Sequence, residues 1–275
     1  MSYVILQHRA VLSLAGEEVV PFLQGLISND ARALERGESI YAAMLSSQGK
    51  FLHDFFLTPW QGKILLDVCA KRADDLLARL KMYRLRSKVE IAKEDSLRVL
   101  ACFGRVLKTS DMQEYAIYTD PRLEKLGSRM MGSLTALQAH LQQQGEREVG
   151  HEMYEQLRVS LCVPDTHDLI VDKSLLLEYG FEQLHGVDFS KGCYVGQEVT
   201  ARSKFRGQVR KHVFAIKAEG DLPAIGAPIM AGEKLIGEMR SSYKNIGIAL
   251  LNSEACEEAK KCRAATIMSG CFSEV

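Results

Sequence analysis

An α+β protein that ends in an antiparallel β-barrel is the fold class this sequence predicts, on three observations. Apolar runs of strand and helix period alternate between residues 64 and 144, which is the texture of a small α+β unit. Two runs at 40–45 and 51–58 flank Ser46-Ser47-Gln48-Gly49-Lys50, a hairpin with a glycine in its turn. Beyond about residue 205, short apolar runs are cut by glycines with no helical pattern among them, as in a small barrel or sandwich.

Element by element, residues 3–14 read as a strand. Val19, Phe22, Leu23 and Leu26 then recur at helical spacing, and Gly37 closes that region. After the hairpin, residues 64–69 form a strand. Ala73, Leu76, Leu77, Leu80 and Tyr83 share one face of a helix over 71–85. Strands follow at 88–91, 97–102 and 115–118. A helix over 133–144 takes Ser133 as its cap. The polar stretch 142–150 links back towards the first layer, 152–161 is helical, and 164–189 is loop-rich. The terminal runs lie at 209–216, 227–230, 235–239 and 246–250, with the barrel starting near 203–208.

The chain has 275 residues, room for two or three small domains. Its apolar and charged fractions, 47% and 25%, are those of an ordinary globular protein. Net charge is zero, so any basic site is local. No run reaches the length of a membrane span, and Met1–Arg9 lacks a secretory leader pattern. The seven cysteines are scattered and odd in number, which fits a reducing cytoplasm better than a disulfide framework. Cys256, Cys262 and Cys271 lack the close pairs of a structural zinc site. Phosphate-binding, dinucleotide-binding and serine-elbow motifs are absent.

Chemistry concentrates in Lys191-Gly192-Cys193-Tyr194-Val195-Gly196-Gln197-Glu198. Its two glycines permit backbone conformations or close approaches that a side chain blocks. A nearby ammonium favours thiolate, the form of cysteine that attacks or binds metal. The plainer alternative is that Cys193 and Tyr194 pack while the glycines shape a loop. Arg202, Lys204, Arg206, Arg210 and Lys211 come next, so 191–212 holds six cations against one acid, Glu198. Such a strip suits an anionic ligand or an RNA backbone; the alternative is a solvated strand face. Aromatic residues for base stacking are sparse there, Tyr194 and Phe205 alone, which makes RNA the weaker version. His53-Asp54 follows the hairpin turn, where a carboxylate in a cleft orients or deprotonates an amine; a polar residue facing solvent is the alternative. Ser28-Asn29-Asp30 reads as a cap at the end of the first helix, with a ligand loop as the alternative.

The octapeptide is similar to the K-G-C-Y-x-G-Q-E signature of the YgfZ-type folate-binding proteins, a family that includes mitochondrial iron–sulfur cluster assembly factors. The resemblance extends along most of the chain. Residues 22–30, FLQGLISND, resemble the family's FLQGLLTND segment, and Ser47–Asp54 resembles its PQGR hairpin with a following Asp. Arg158, Pro164, Asp165 and Asp168 match an R…PD…D stretch, and Arg202 stands in the AR after the signature. The resemblance implies a fold akin to the glycine-cleavage T-protein, with three domains in a ring around a folate site. Residues 1–45 plus 146–204 would form a discontinuous folate-binding domain, 46–145 an α+β, ferredoxin-like insert, and 205–275 the barrel.

The family is linked to maturation of [4Fe–4S] proteins and, in bacteria, to a radical-dependent tRNA modification. The leading expectation is therefore an accessory protein that binds tetrahydrofolate, or a polyglutamylated folate, and serves assembly or repair of iron–sulfur clusters. The resemblance makes Cys193 the reactive or ligating thiol, tuned by Lys191, with any transient iron–sulfur cluster shared with a partner. Asp54, Tyr194, Gln197, Glu198 and Arg202 become the folate-binding set, and the partners are assembly or client proteins and tRNA. A bacterial cytoplasm is the expected location. Two other readings stand beside it: a folate-dependent one-carbon transferase of the aminomethyltransferase type, and a tRNA modification factor. T-proteins carry an Asp-Asp pair where this chain has His53-Asp54, and they lack the cysteine signature, so whether the chain catalyses a reaction is left open.

Overall fold

A computed structural model describes residues 2–107, 110–111, 114–207, 209–218, 220–231, 233–254 and 266–270. It divides into two compact units. The first holds residues up to 47, 52–151 and 184–195; the second holds 48–51, 152–183 and the chain from 196 onward.

The first unit contains two sheets. In one, β2 (Arg9–Ala15), β3 (Ile40–Leu45), β4 (Phe51–Trp60), β5 (Lys63–Cys69) and β6 (Glu90–Lys93) are ordered β3-β4-β5-β2-β6. Helices α1 (Val19–Gln24) and α2 (Ala73–Arg84) pack their apolar side chains, among them Phe22, Leu23, Leu76 and Leu80, into the core of that sheet. The other sheet joins β1 (Ser2–Ile5), β7 (Leu97–Phe103), β8 (Ser110–Asp111), β9 (Tyr115–Thr119), β10 (Ser128–Ser133) and β11 (Arg147–Glu148) in the order β11-β1-β7-β10-β9-β8. Helix α3 (Leu134–Gln143) covers it through Leu137 and Leu141. Ser133 caps α3 as expected, its hydroxyl accepting from the Ala136 amide at 3.3 Å.

The apolar run 3–14 is two strands rather than one. A turn closed by the Gln7 amide on the Ile5 carbonyl (3.1 Å) sends β1 into one sheet and β2 into the other. β1 lies parallel to β11 and antiparallel to β7, and the Val149 amide donates to the Tyr3 carbonyl. β10 gives no signal in the sequence, because Ser128, Arg129 and Gly132 interrupt its apolar pattern; it is nonetheless a buried central strand between β7 and β9.

Arg129 explains how a charge is tolerated there. Its guanidinium donates to Asp67 on β5 (2.9 and 2.5 Å), whose other oxygen accepts from Arg9 on β2 (2.6 Å). Arg129 also reaches Asp120 (3.5 Å), which pairs with Arg122 (2.8 Å). The three guanidinium carbons stand 4.0–5.6 Å from the centre of the Phe56 ring on β4. All five ionic side chains are buried, so each charge is stabilised by its partners rather than by water.

The second unit carries α4 (His151–Ser160), α5 (Gln197–Phe205) and an antiparallel sheet. That sheet comprises β12 (Lys211–Lys217), β13 (Pro228–Ala231), β14 (Lys234–Tyr243), β15 (Ile246–Asn252) and β16 (Thr266–Gly270), in the order β13-β14-β15-β12-β16. Phe214, Ile216, Ile236, Met239, Ala249 and Leu251 form its core. The fully buried Arg158 of α4 fastens the loop 163–168 to the sheet. It donates to the Val163 carbonyl (2.8 Å), Asp168 (2.8 Å), Glu155 (2.7 Å) and the Ser241 hydroxyl on β14 (2.9 Å). Asp165 and Asp168 close a capping box on the short turn between them. Cys256, Cys262 and Cys271 lie outside the described residues.

Candidate functional site

The cysteine loop is built on the segment just beyond α1. Helix α1 stops at Gly25, and Ser28, Asn29 and Asp30 then fix the chain from three sides. Ser28 accepts from the Ala43 amide (2.8 Å) and donates to the Gly186 carbonyl (2.6 Å). Asn29 donates to the carbonyls of Tyr41 (2.8 Å) and His185 (2.7 Å). Asp30 caps the short helical turn Ala31–Arg36, and its bonds from Arg32 hold its carboxyl low, at about 2. The expected cap on α1 is thus a cap on the next helical turn, and the same three residues tie down 185–186.

The loop that carries Cys193 is buttoned to the same segment at both ends. The Asp188 amide donates to the Ser28 carbonyl (3.0 Å), and the Val195 amide to the Gly25 carbonyl (3.2 Å). The Asp188 carboxylate also accepts from the Ser190 amide and hydroxyl and from the Lys191 amide (2.7, 2.6 and 3.2 Å). Sequence reasoning passes over Asp188, although Asp-x-Ser is a recognisable turn-forming pattern.

Lys191 is buried, and its ammonium donates to the carbonyls of Gln24 (2.9 Å), Ile27 (2.6 Å) and Asn29 (2.8 Å). An ammonium has three N–H groups, and all three go to these oxygens. Any influence on the Cys193 thiol is therefore through its field rather than through a hydrogen bond. Burial pushes Lys191 down to about 8, against the pull of Asp30 and Asp188. The Lys191 ammonium also stands 4.9 Å from the centre of the buried Tyr194 ring.

Of the free cysteines among the described residues, Cys102 is buried, Cys69 half-buried and Cys193 exposed. A stretch of backbone anchored at both ends thus presents an accessible thiol. Among the described residues, no group of three or more His, Cys, Asp or Glu side chains is placed to hold a metal ion.

The two glycines of the octapeptide 191–198 differ. Gly196 has φ +82° and opens α5 as its N-cap, a conformation that strains any side chain. Gly192 has an ordinary φ and open space where a Cβ would stand, so the conformational need expected there is absent. Residues 191–195 belong to the first unit and 196–205 to the second. Within the second, Gly49 of the hairpin turn packs on α5. A Cβ there would stand 2.7 Å from that of Val199 and 2.9 Å from the Gly196 carbonyl oxygen. Gln197 and Glu198 open α5, Glu198 pairing with Arg202 one turn on; Lys204 pairs with Glu182. Arg206, Arg210, Lys211 and the Phe205 ring are exposed.

Asp54 lies on β4 in the first unit and is buried, one oxygen accepting from the Tyr41 hydroxyl at 2.9 Å. Tyr41 is the second residue that sequence reasoning misses, since nothing in its local pattern distinguishes it from a core aromatic. His53 is buried too, where a solvent-facing residue was the alternative. Its ring nitrogen meets Asp75 (2.9 Å), and desolvation, with Arg72 nearby, drives it down to about 4.

In comparison with known proteins, residues 210–269 match the family model described as the CAF17 C-terminal β-barrel domain. The chain is 30% identical to the mitochondrial iron–sulfur cluster assembly factor IBA57 of Mus musculus and 31% identical to that of Homo sapiens. Each match covers 90% of this chain and 77% of the relative. The mitochondrial IBA57 homologue of Neurospora crassa is 32% identical over 81% of this chain and 55% of its own length. In fold, the chain is similar to the glycine cleavage system aminomethyltransferase T of Bartonella henselae. That match has a TM-score of 0.73 and 15% identity, over 92% of this chain and 78% of the other. The fold is therefore T-protein-like, mixed α and β with a C-terminal antiparallel sheet, as the sequence led one to expect. The expected location is corrected: these relatives are mitochondrial, which conflicts with a bacterial cytoplasm.

Proposed function

The chain belongs to the IBA57 family of iron–sulfur cluster assembly factors, and on that premise we propose that it binds a tetrahydrofolate and uses Cys193 in the assembly or repair of clusters on client proteins. The observation that carries this reading is an exposed Cys193 on a loop anchored at both ends to residues 25–28. A thiol that ligates a cluster in transit needs access from outside and a fixed direction of presentation. In this reading a partner protein supplies the remaining ligands. The K-G-C-Y-V-G-Q-E signature is the residue-level part of the same reading.

Tetrahydrofolate fits the chemistry of the first unit at Asp54. In this reading the Asp54 carboxylate, which accepts from the Tyr41 hydroxyl, is also the group that meets the amino group and ring N–H of a pterin. Bound there, the folate would contribute a one-carbon carrier's ring system, while the protein's part is to orient it through Asp54.

Replacement of Cys193 by Ala in the host organism tests the thiol role. The expected result is a loss of [4Fe–4S] enzyme activity under oxidative stress, while the purified variant keeps the folate affinity of the parent in calorimetry. Unchanged enzyme activity in the variant strain removes Cys193 from the reading. Absence of folate binding by the parent chain removes the folate.

A further inference from the structure

The C-terminal end of α2 shows a face that the cysteine loop does not use. Over residues 79–88 the sequence reads Arg-Leu-Lys-Met-Tyr-Arg-Leu-Arg-Ser-Lys, five cations and no acid. The helix buries Ala73, Leu76 and Leu80, so its core-facing stripe is satisfied. Beyond it, Leu85 is 84% exposed and Met82 61%, with Tyr83 beside them. Leu85 also has φ +46° and ψ −106° at the helix end, a backbone conformation that glycine adopts freely and leucine does not. A strained backbone and an exposed large apolar side chain thus coincide at one residue. A shallow recess lined by Glu18, Leu85, Arg86 and Ser87 lies beside it.

The charges around this leucine are unbalanced. Glu17 pairs with the Lys88 ammonium (3.2 Å), while the Glu18 carboxylate accepts from the Lys88 amide (2.5 Å) and keeps its charge, one acid against the three cations that follow. Arg79 pairs with Asp75 (3.1 Å). Lys81, Arg84 and Arg86 are exposed, and among the described residues none of them has a carboxylate within ion-pair distance. We propose that Leu85, with Met82 and Tyr83, is the apolar anchor of a docking surface, and that Lys81, Arg84 and Arg86 form its rim, for a partner protein with an acidic surface around an apolar pocket.

The residue types favour a protein over other anionic surfaces. Aromatic residues, Met and Arg are enriched at the centres of protein interfaces, and rim charges steer the encounter and set its salt dependence. A bilayer is matched by a helix with a continuous apolar face, and that face of α2 is already in the core. A single-stranded nucleic acid is matched by several stacking aromatics, and here Tyr83 stands alone. The proposal does not depend on Cys193 or on folate.

A photo-crosslinking residue, p-benzoylphenylalanine, placed at Leu85 of the full chain and irradiated in living host cells tests the surface. The expected product is an adduct with one protein, identified by mass spectrometry, whose linked segment is rich in Asp and Glu. Purified, that protein should bind the parent chain, with affinity falling as salt rises. Leu85→Gly should weaken binding about tenfold or more, the scale of an interface anchor. The same variant should melt no lower than the parent, since glycine relieves the strained φ. Lys81→Glu with Arg86→Glu should weaken binding too, and reversing the partner's acids should restore it. Overturning results are no protein adduct, adducts to lipid or nucleic acid, or an identified protein that binds the variants as it binds the parent. Binding of the parent chain to vesicles of phosphatidylcholine and cardiolipin that Leu85→Gly abolishes also overturns it.

Discussion

Three backbone oxygens, those of Gln24, Ile27 and Asn29, depend on the ammonium of Lys191. Lys191→Met keeps most of the stem and strands all three, so it should cost about 3 kcal/mol at neutral pH, measured by urea unfolding. The pH dependence comes from the low value, about 8, that burial imposes on the folded state against an ordinary 10.5 in the unfolded chain. Between about 8 and 10.5 the unfolded chain binds more protons at this position, so this lysine's contribution makes the parent gain stability as pH rises through that window. The Met variant should lack that gain, and parallel curves for the two proteins would contradict the assignment. In the sequence, Lys191 reads as a partner for Cys193, because adjacency is all that a sequence displays. The oxygens that accept its hydrogen bonds lie more than 160 residues earlier, and no local pattern announces them.

At the scale of elements, the packing of the hairpin turn on α5 gives a prediction. Gly49→Ala places a Cβ 2.7 Å from that of Val199 on a backbone with φ +71°, and should lower stability by about 2 kcal/mol in thermal unfolding. Gly192→Ala, with open space and an ordinary φ, should leave the melting curve near the parent's, and equal losses in both variants would refute the distinction. The turn itself was legible from Gly49, but its neighbour on α5 was not. Periodicity located α3, with its Ser133 cap, and α4 within a residue or two, but gave no helix at α5. What it could not read was membership. The run 3–14 has strand character throughout, yet its two halves serve different sheets. β10 escaped because its buried Arg129 looks like a surface residue until Asp67, 62 positions away, is brought beside it.

For the molecule as a whole, the sequence carried the fold class, through the periods of its apolar runs and the resemblance of its contiguous motifs. The buried ion cluster of the first unit was beyond its reach, being assembled from β2, β5, β10 and the loop at 120–122. Asp67→Ala leaves Arg9 and Arg129 facing each other without their shared carboxylate. It should cost about 3–5 kcal/mol in chemical denaturation, the scale of a broken buried pair, and a loss under about 1 kcal/mol would show that the cluster contributes little. The pairing of β1 with β7 and β11 has a consequence for biosynthesis. Residues 2–5 are translated well before their neighbours at 97–103 and 147–148. At ordinary ribosomal speeds that is a wait of about 5–20 s for β7 alone. Through that interval Tyr3, Val4 and Ile5 are an unpaired apolar edge on a nascent polypeptide, a segment that a chaperone would hold until the strand arrives to complete it.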